Sequence, residues 1–226
     1  MLFRLPQPLH GWREFVHEVV IVVIGVLLAL GGAELADTLH WRAEARDFSK
    51  EVDHELGLNL GTYHAIILQR PCVTRRLAEL ERFLAASTAG HQLKLQRPIG
   101  WPRRYSQYTS VWNNRGAEVT AHLPGDRRRQ YAELYDEFAN KDALGVSERD
   151  VWRGLDDYDQ PEPLDHADRM RLRGLLTRAE GVNVVAVANY NFMLKLTRPL
   201  GIEPIGEDEF VKLPSDDDFC RPLLAK

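Results

Sequence analysis

An apolar run near the amino terminus constrains this chain more than any other feature. Residues 19–33 contain no charged side chain, and further apolar residues lie beyond Glu18 and Glu34 on either side. The whole segment approaches the ~20 residues that a helix needs to cross the hydrocarbon core of a bilayer. Its uncharged part, about 15 residues, also lies at the upper limit for the core of an export signal. Length alone therefore leaves a membrane span, a cleaved signal and a buried soluble helix open.

Two tryptophans lie on either side of this run. In a continuous helix, Trp12 and Trp41 would be about 43 Å apart, close to the ~40–45 Å between the headgroup layers of a bilayer. Indole rings prefer those layers, so we interpret the pair as interfacial anchors of a spanning helix. Cleavage after Ala33 is the alternative, because Gly31 and Ala33 are small, but the acidic residues before the run are atypical of export signals.

Basic residues do not orient the predicted span. Arg4 and Arg13 precede it and Arg42 and Arg46 follow it, so the positive-inside rule gives no preference. A long domain that follows a span is translocated largely regardless of its charges. We therefore predict a cytoplasmic amino terminus and an extracytoplasmic body.

Small residues recur on one face of the predicted span. Gly25, Ala29 and Ala33 follow each other at four-residue spacing, with Gly32 beside them. Such a stripe lets two helices approach closely in lipid, which predicts pairing with a second copy or with another membrane protein. The alternative is that glycine and alanine are simply common in spanning helices, and the sequence does not decide between the two.

The apolar pattern continues beyond Trp41 with the period of a helix. Residues at three- and four-residue steps are apolar: Phe48, Val52, Leu56, Leu60, Tyr63 and Ile67. We therefore predict that the membrane helix extends as a stalk into the first helix of the body and ends at Pro71. A second amphipathic helix is expected before Gly90, and a loop is expected over residues 90–102.

Further helices are predicted from apolar periodicity and capping residues. One includes Tyr105, Tyr108, Val111 and Trp112 on one face and ends near Gly116, and another is capped by Asp126. Ser147 and Asp150 resemble a capping box that would begin a separate helix, and Asp165 would begin a long helix that ends near residue 198. A short strand at "VNVVAV" is the alternative for part of that last helix.

These patterns predict an all-α protein of four segments. They are a cytoplasmic tail (1–14), a transmembrane helix (15–36), a helical-bundle domain (37–200) and an extended carboxyl-terminal tail (201–226). The tail is rich in proline and aspartate and is expected to lie on the helices.

The chain has two cysteines, Cys72 and Cys220. In an oxidising compartment an even cysteine count predicts a bridge, whereas in the cytosol two distant cysteines would be unrelated thiols. A bridge would close a loop long enough to contribute roughly 4 to 5 kcal/mol in the chain-entropy model. Export and the disulfide are therefore linked predictions.

No motif in the sequence predicts a reaction. Glu51 and His54 form half of a di-metal helix motif, but the other copy, at Glu14 and His17, lies by the predicted span. The acidic loop "LDDYDQPEPLDHAD" lacks the glycine and the oxygen spacing of a calcium loop. Phosphate-binding loops, nucleophile elbows and zinc-protease helices are absent from the sequence. We therefore assign no catalytic, cofactor or metal residue and predict that the chain is not an enzyme.

Charge and aromatic residues give weaker indications. The net charge of -4 does not favour nucleic acid as a partner. The short basic runs at residues 103–104 and 127–129 are interpreted as solvated helix faces. A group of aromatic residues forms either ordinary core or the lining of a small-molecule pocket: Tyr105, Tyr108, Trp112, Tyr131 and Tyr135.

Two stretches resemble an uncharacterised bacterial family of small membrane-anchored proteins. "REFVHEVVIVVIGVLLAL" with "WRAEARDFSKEVDHELGLNLG" is similar to the family's "EVxxVVIGVLxAL" helix and charged stalk, and "YTSVWNNRGAEVTAHLPGDRRRQYAELYDEF" is similar to its second block. The likeness covers residues 12–138 with gaps, and its motifs are structural. It implies a single-pass, all-helical protein of the bacterial inner membrane with a periplasmic domain, and it supplies no catalytic residue.

The sequence thus leads to two functional hypotheses. The first is a membrane-anchored interaction or accessory protein, a subunit of a larger inner-membrane assembly, whose partners are the bilayer and a protein paired through the span. The second is an extracytoplasmic module that senses or binds a small molecule.

Overall fold

Helices form all of the regular structure in the computed structural model, which describes residues 11–91, 93–159, 163–206 and 217–224. Within these residues there is no strand, only an isolated bridge between Leu95 and Leu224. The all-α prediction is confirmed, and "VNVVAV" is helical. The helices are α1 (Trp12–Leu68), α2 (Arg70–Thr88), α3 (Ser110–Asn113), α4 (Ala117–Ala121), α5 (Gly125–Asp156) and α6 (His166–Thr197), with 3-10 turns at Arg198–Leu200 and Asp218–Cys220.

The chain divides into two compact units. The first consists of Met1–Phe48 and Gly116–Leu123, and the second of Ser49–Arg115 and Pro124–Lys226. Parts of the predicted cytoplasmic tail and of the carboxyl-terminal tail, residues 1–10, 207–216 and 225–226, lie outside the described residues.

The amino-terminal part of α1, which belongs to the first unit, is exposed and largely apolar. Every residue from 19 to 35 is exposed. The helix is long enough to cross a membrane, and it contains an 18-residue window that is apolar enough to do so. Farther along α1, the Trp41 ring stacks on the ring of His122, which follows α4, with 5.3 Å between centroids. Ala45 and Leu123 are the buried residues in the described part of this unit.

The core of the second unit lies among α2, α5 and α6. A continuous apolar cluster unites their inward faces with the carboxyl-terminal segment; its members include Leu77, Leu80, Phe83, Trp152, Leu155, Leu172, Leu176, Phe219 and Leu223. The carboxyl-terminal part of α1 also buries one face, through Val52, Leu56, Leu60 and Tyr63. The apolar faces predicted for α2 and for this part of α1 are therefore buried. Of the apolar residues predicted to line α6, Leu172, Leu175, Leu176 and Val182 are buried, whereas Val185 and Phe192 are exposed.

The helix break predicted at Pro71 lies at Gln69. Pro71 falls in the first turn of α2, where the missing N–H of proline has no helical partner to lose. The break therefore comes slightly earlier than the sequence pattern predicts, and α2 begins almost at once.

The helix predicted around Trp112 is much shorter than expected. Only Ser110–Asn113 are helical, and residues 98–109 before them have no regular secondary structure. The buried side chain of Asn59 accepts a hydrogen bond from Tyr108 N and donates one to Tyr108 O, both at 2.7 Å. Because these two backbone groups are satisfied by a side chain, this segment does not need helical hydrogen bonds.

Two predicted caps of α5 are wrong. Pro124 lies at the N-cap position and Asp126 lies in the first turn, where it pairs with Arg129. Ser147 and Asp150 lie within α5, which is one helix of 32 residues. By contrast, Asp165 caps α6 as predicted, in a capping box with Asp168.

Two glycines of α1 make room for the segment that follows α6. Ile205 N donates to Gly57 O at 2.9 Å. A Cβ on Gly61 would collide with the backbone carbonyl of Ile205. These glycines, which weaken the helical pattern in the sequence, therefore mark a close approach of two backbones.

Candidate functional site

The predicted disulfide between Cys72 and Cys220 is formed. Cys72 lies in the first turns of α2 and Cys220 in the last 3-10 turn, 148 residues farther along the chain. Polar side chains of α2 hold the same segment: Arg76 Nη2 donates to Phe219 O at 2.7 Å, and Glu79 accepts from Leu223 N at 3.0 Å. The disulfide is therefore one of several contacts that hold the carboxyl-terminal segment against α2.

The small residues of the predicted span face no other part of the described chain. Gly25, Ala29, Gly32 and Ala33 are all exposed. A Cβ at Gly25 or Gly32 would meet nothing within 4 Å. The stripe is therefore free to contact another helix.

The two predicted interfacial anchors differ in their surroundings. Trp12 is 76% exposed, whereas Trp41 is partly buried. The stacking of Trp41 on His122 was not foreseen, since neither residue type nor spacing predicts a contact across so many residues.

The aromatic residues proposed as a pocket lining pack mainly on one another. The rings of Trp112 and Tyr135 stack at 5.0 Å, and Tyr131 meets Trp112 edge-on. Glu55 of α1 accepts hydrogen bonds from the hydroxyl of Tyr135 and from Val111 N. Burial raises the pKa of the Tyr135 hydroxyl far above its usual range, and Glu55 adds to the effect. These three rings are core, while Tyr105 is partly buried and Tyr108 exposed.

Glu51 and His54 are both exposed. The described residues contain no group of three His, Cys, Asp or Glu side chains that could hold a metal ion. The aspartates of the acidic loop have different roles. Asp159 accepts a hydrogen bond from Ile99 N at 2.6 Å, whereas Asp165 and Asp168 cap α6.

A cavity that the sequence did not predict lies between the loop after α2 and the second half of α5. Its volume is about 490 Å³, within the range of small-molecule sites. We call it the Arg–Trp cavity; its lining is Trp101, Pro102, Arg103, Arg104, Glu148, Arg149, Trp152 and Arg153. "WPRR" and "ERDVWR" each combine tryptophan with arginine, but more than 40 residues separate them, so only the fold brings them together.

Most charges at the Arg–Trp cavity already have partners. Glu148 accepts two hydrogen bonds from the buried guanidinium of Arg70, at 2.5 and 3.3 Å. Arg103 pairs with Asp217 at 3.3 Å, and the exposed Arg153 pairs with Asp150.

Arg104 and the exposed Arg149 are the exceptions among these charges, and Arg104 differs from Arg149 in being partly buried. Its Nη1 is buried without a hydrogen-bond partner among the described residues. The guanidinium lies close to the backbone of α5 at Gly145, where an added Cβ would be 2.9 Å from Nη2. Burial, with a contribution from the positive charge of Arg104, lowers the pKa of the nearby Lys141. The interpretation of Arg104 as a solvated surface residue is therefore wrong.

Comparisons with known proteins found no relative of this chain. No family model, no curated protein and no solved structure matches the chain. The resemblance to a bacterial membrane-anchored family stays a prediction based on the motifs quoted above.

Proposed function

We propose that this protein is a membrane-anchored accessory protein whose helical domain lies outside the cytoplasm, as a subunit of a larger inner-membrane assembly. One observation supports this most: α1 exposes apolar side chains on every face from residue 19 to residue 33. A helix on the surface of a soluble protein is apolar on one face only, whereas a helix apolar all round requires lipid or protein around it.

The small-residue stripe is the proposed contact with the partner. Gly25, Ala29 and Ala33 form an exposed ridge with little side-chain volume. In lipid, helices associate through close packing of such ridges rather than through the hydrophobic effect. The partner is accordingly a spanning helix, either of a second copy or of another membrane protein.

The disulfide supports the proposed compartment. Bridges between cysteines persist in oxidising compartments and are rare in the cytosol. Cys72 and Cys220 both belong to the second unit, so the periplasm is the proposed location of that unit in a bacterial cell.

The test compares bulky substitutions on two faces of the span. In the double variant Gly25→Phe with Ala29→Phe, the ridge is blocked. The matched control is Val23→Phe with Leu27→Phe, which adds aromatic rings almost opposite because successive residues turn by about 100°. Full-length protein is extracted from membranes in a mild detergent, and the mass of the complex is measured together with in-membrane cross-linking.

We expect the wild type and the control to remain in a complex and the ridge variant to become monomeric. Release of the wild type from membranes by alkaline carbonate would contradict the anchor. A wild-type protein that is always a lone monomer would contradict the accessory function while leaving the anchor intact.

A second function, a binding module for a small molecule, is favoured by the Arg–Trp cavity. It is compatible with the anchor, since the cavity belongs entirely to the second unit.

A further inference from the structure

Trp101 lines two cavities, and these differ in charge. The Arg–Trp cavity contains four arginines and one carboxylate, that of Glu148. The second cavity, of about 590 Å³, includes Arg76 and Arg97 but also Asp217 and Asp218, and Arg76 donates hydrogen bonds to backbone carbonyls. Of the two cavities, the Arg–Trp cavity is therefore the one in which arginines outnumber carboxylates.

Two guanidinium groups account for that surplus. Glu148 is engaged by Arg70, and Arg103 and Arg153 each have an aspartate partner. Arg104 and Arg149 have no ion pair with any described residue. Guanidinium groups bind carboxylate and phosphate oxygens through paired, charge-assisted hydrogen bonds.

The rest of the cavity wall is apolar and aromatic. Trp101 is 58% exposed although it is a large apolar side chain. Trp152 is buried, with its ring held edge-on against Phe219 at 5.4 Å. The exposed ring of Trp101 therefore offers a flat surface on which a ring-containing molecule can pack.

Gly145 positions the unpartnered charge. The guanidinium of Arg104 occupies the space that a Cβ would fill, since its Nη2, Nε and Cζ atoms would be 2.9 to 3.1 Å from it. Glycine within a helix costs about 1 kcal/mol relative to alanine. The helix tolerates this cost at the one point where α5 meets the Arg104 guanidinium.

We propose that the Arg–Trp cavity binds a small organic anion, with its carboxylate or phosphate on Arg104 and Arg149 and an apolar ring on Trp101. This inference rests on the binding-module function proposed above and specifies its ligand class. It is independent of membrane insertion.

The test uses four probes with the full-length protein in a detergent without aromatic groups. Naphthalene-2-carboxylate and 2-naphthyl phosphate contain both the ring and the anion, 2-naphthamide has the ring without the charge, and acetate has the charge without the ring. Binding is followed by calorimetry and by tryptophan fluorescence.

We expect one or both naphthyl anions to bind at one site, at least about tenfold more tightly than the amide and acetate, the ratio expected for one charge-assisted hydrogen bond. The better anion identifies the head group. Arg104→Met should remove this preference, whereas Arg128→Met, the same change at an exposed position about 30 Å away along α5, should not.

Gly145→Ala is the second variant, in case Arg104→Met fails to fold. It retains every charge and improves helix propensity, yet it displaces the Arg104 guanidinium, so binding should weaken while stability is kept. Equal affinity for the naphthyl anions and the amide, or affinity unchanged in both variants, would overturn the inference. Binding of the amide in the cavity would then still support a binding module, and no binding of any probe would count against both.

Discussion

The two ends of α1 belong to one helix but have opposite relations to their surroundings. Residues 19–33 are uncharged, almost all apolar, and exposed on every face. Residues 52–63 bury one face, and that face includes polar side chains such as Glu55, Asn59 and Thr62 as well as leucines. The same backbone geometry is thus used with two kinds of side-chain chemistry.

The difference shows what each end requires of its environment. The amino-terminal end has an apolar surface that none of the described residues covers, which is the observation behind the proposed membrane anchor. In the carboxyl-terminal end, buried polar groups have partners in the chain: Asn59 pairs with Tyr108, and Gln69, just after the helix, accepts from Arg103 N at 2.8 Å. Buried polar groups contribute favourably only when they are paired in this way.

The largest expected effect comes from removing the disulfide, which should affect the second unit and not the amino-terminal end of α1. Cys220→Ser, or reduction of the bridge, should lower the unfolding free energy of the second unit by about 5 kcal/mol, because the bridge closes a loop of 148 residues. Denaturant unfolding of the detergent-solubilised chain measures it. Retention in membranes should be unchanged, and a matching loss of retention would show that the two ends are not independent.

A leucine pair within α1 tests the comparison directly. Leu60 is fully buried and Leu28 is 71% exposed. Leu60→Ala should destabilise the second unit by about 3 kcal/mol through a cavity and lost burial, and Leu28→Ala should leave its unfolding midpoint unchanged. Equal effects of the two substitutions on thermal unfolding would contradict the assignment of different environments.

Alkaline pH should lower the unfolding free energy of the second unit only. Burial, together with a hydrogen bond to Asp53, raises the pKa of Tyr131 to about 12. Between pH 10 and 12 the unfolded chain loses this proton and the folded chain retains it, so stability is complete below pH 10 and falls as the pH rises, by up to about 2 kcal/mol. Unfolding midpoints measured across this range should show the fall.

The Tyr131→Phe variant provides the control for this pH effect. It should be less stable at pH 7, because Asp53 loses a hydrogen bond, and its alkaline loss should be smaller. An identical alkaline profile in wild type and variant would exclude Tyr131 as the source.

The smallest expected effect compares glycines. Gly61→Ala should destabilise the second unit by about 1 to 2 kcal/mol, since the new Cβ collides with the carbonyl of Ile205. Gly31→Ala has open space around it and should leave that unit unaffected. Stabilisation by Gly61→Ala would show that the segment at Ile205 does not pack against α1.

Local signals predicted most of the helices. The apolar stripe identified the buried face of α2 and only the first part of that of α6, where Val185 and Phe192 are exposed. Asp165 and Pro199 marked the ends of the last long helix. The predicted start at Ser147 failed because a capping sequence is only permissive. Within α5, continued helical hydrogen bonding and burial of Trp152 outweigh it.

The candidate cavity was beyond the reach of sequence reasoning. Arg104 looks like any surface arginine until Gly145, 41 residues away, is seen to leave space for its guanidinium. Likewise, nothing in the sequence around Tyr108 shows that Asn59 will satisfy its backbone. Both contacts join distant segments, and local propensity contains no information on such pairs.

The sequence by itself determined the all-helical class, the apolar surface of α1 and the two cysteines available for a bridge, because composition and periodicity are properties of neighbouring residues. Only the tertiary structure decided that the chain before Ser110 is irregular, that α5 is continuous and that arginines and tryptophans from two segments line a cavity. These outcomes depend on which distant groups satisfy one another's hydrogen bonds and fill one another's space.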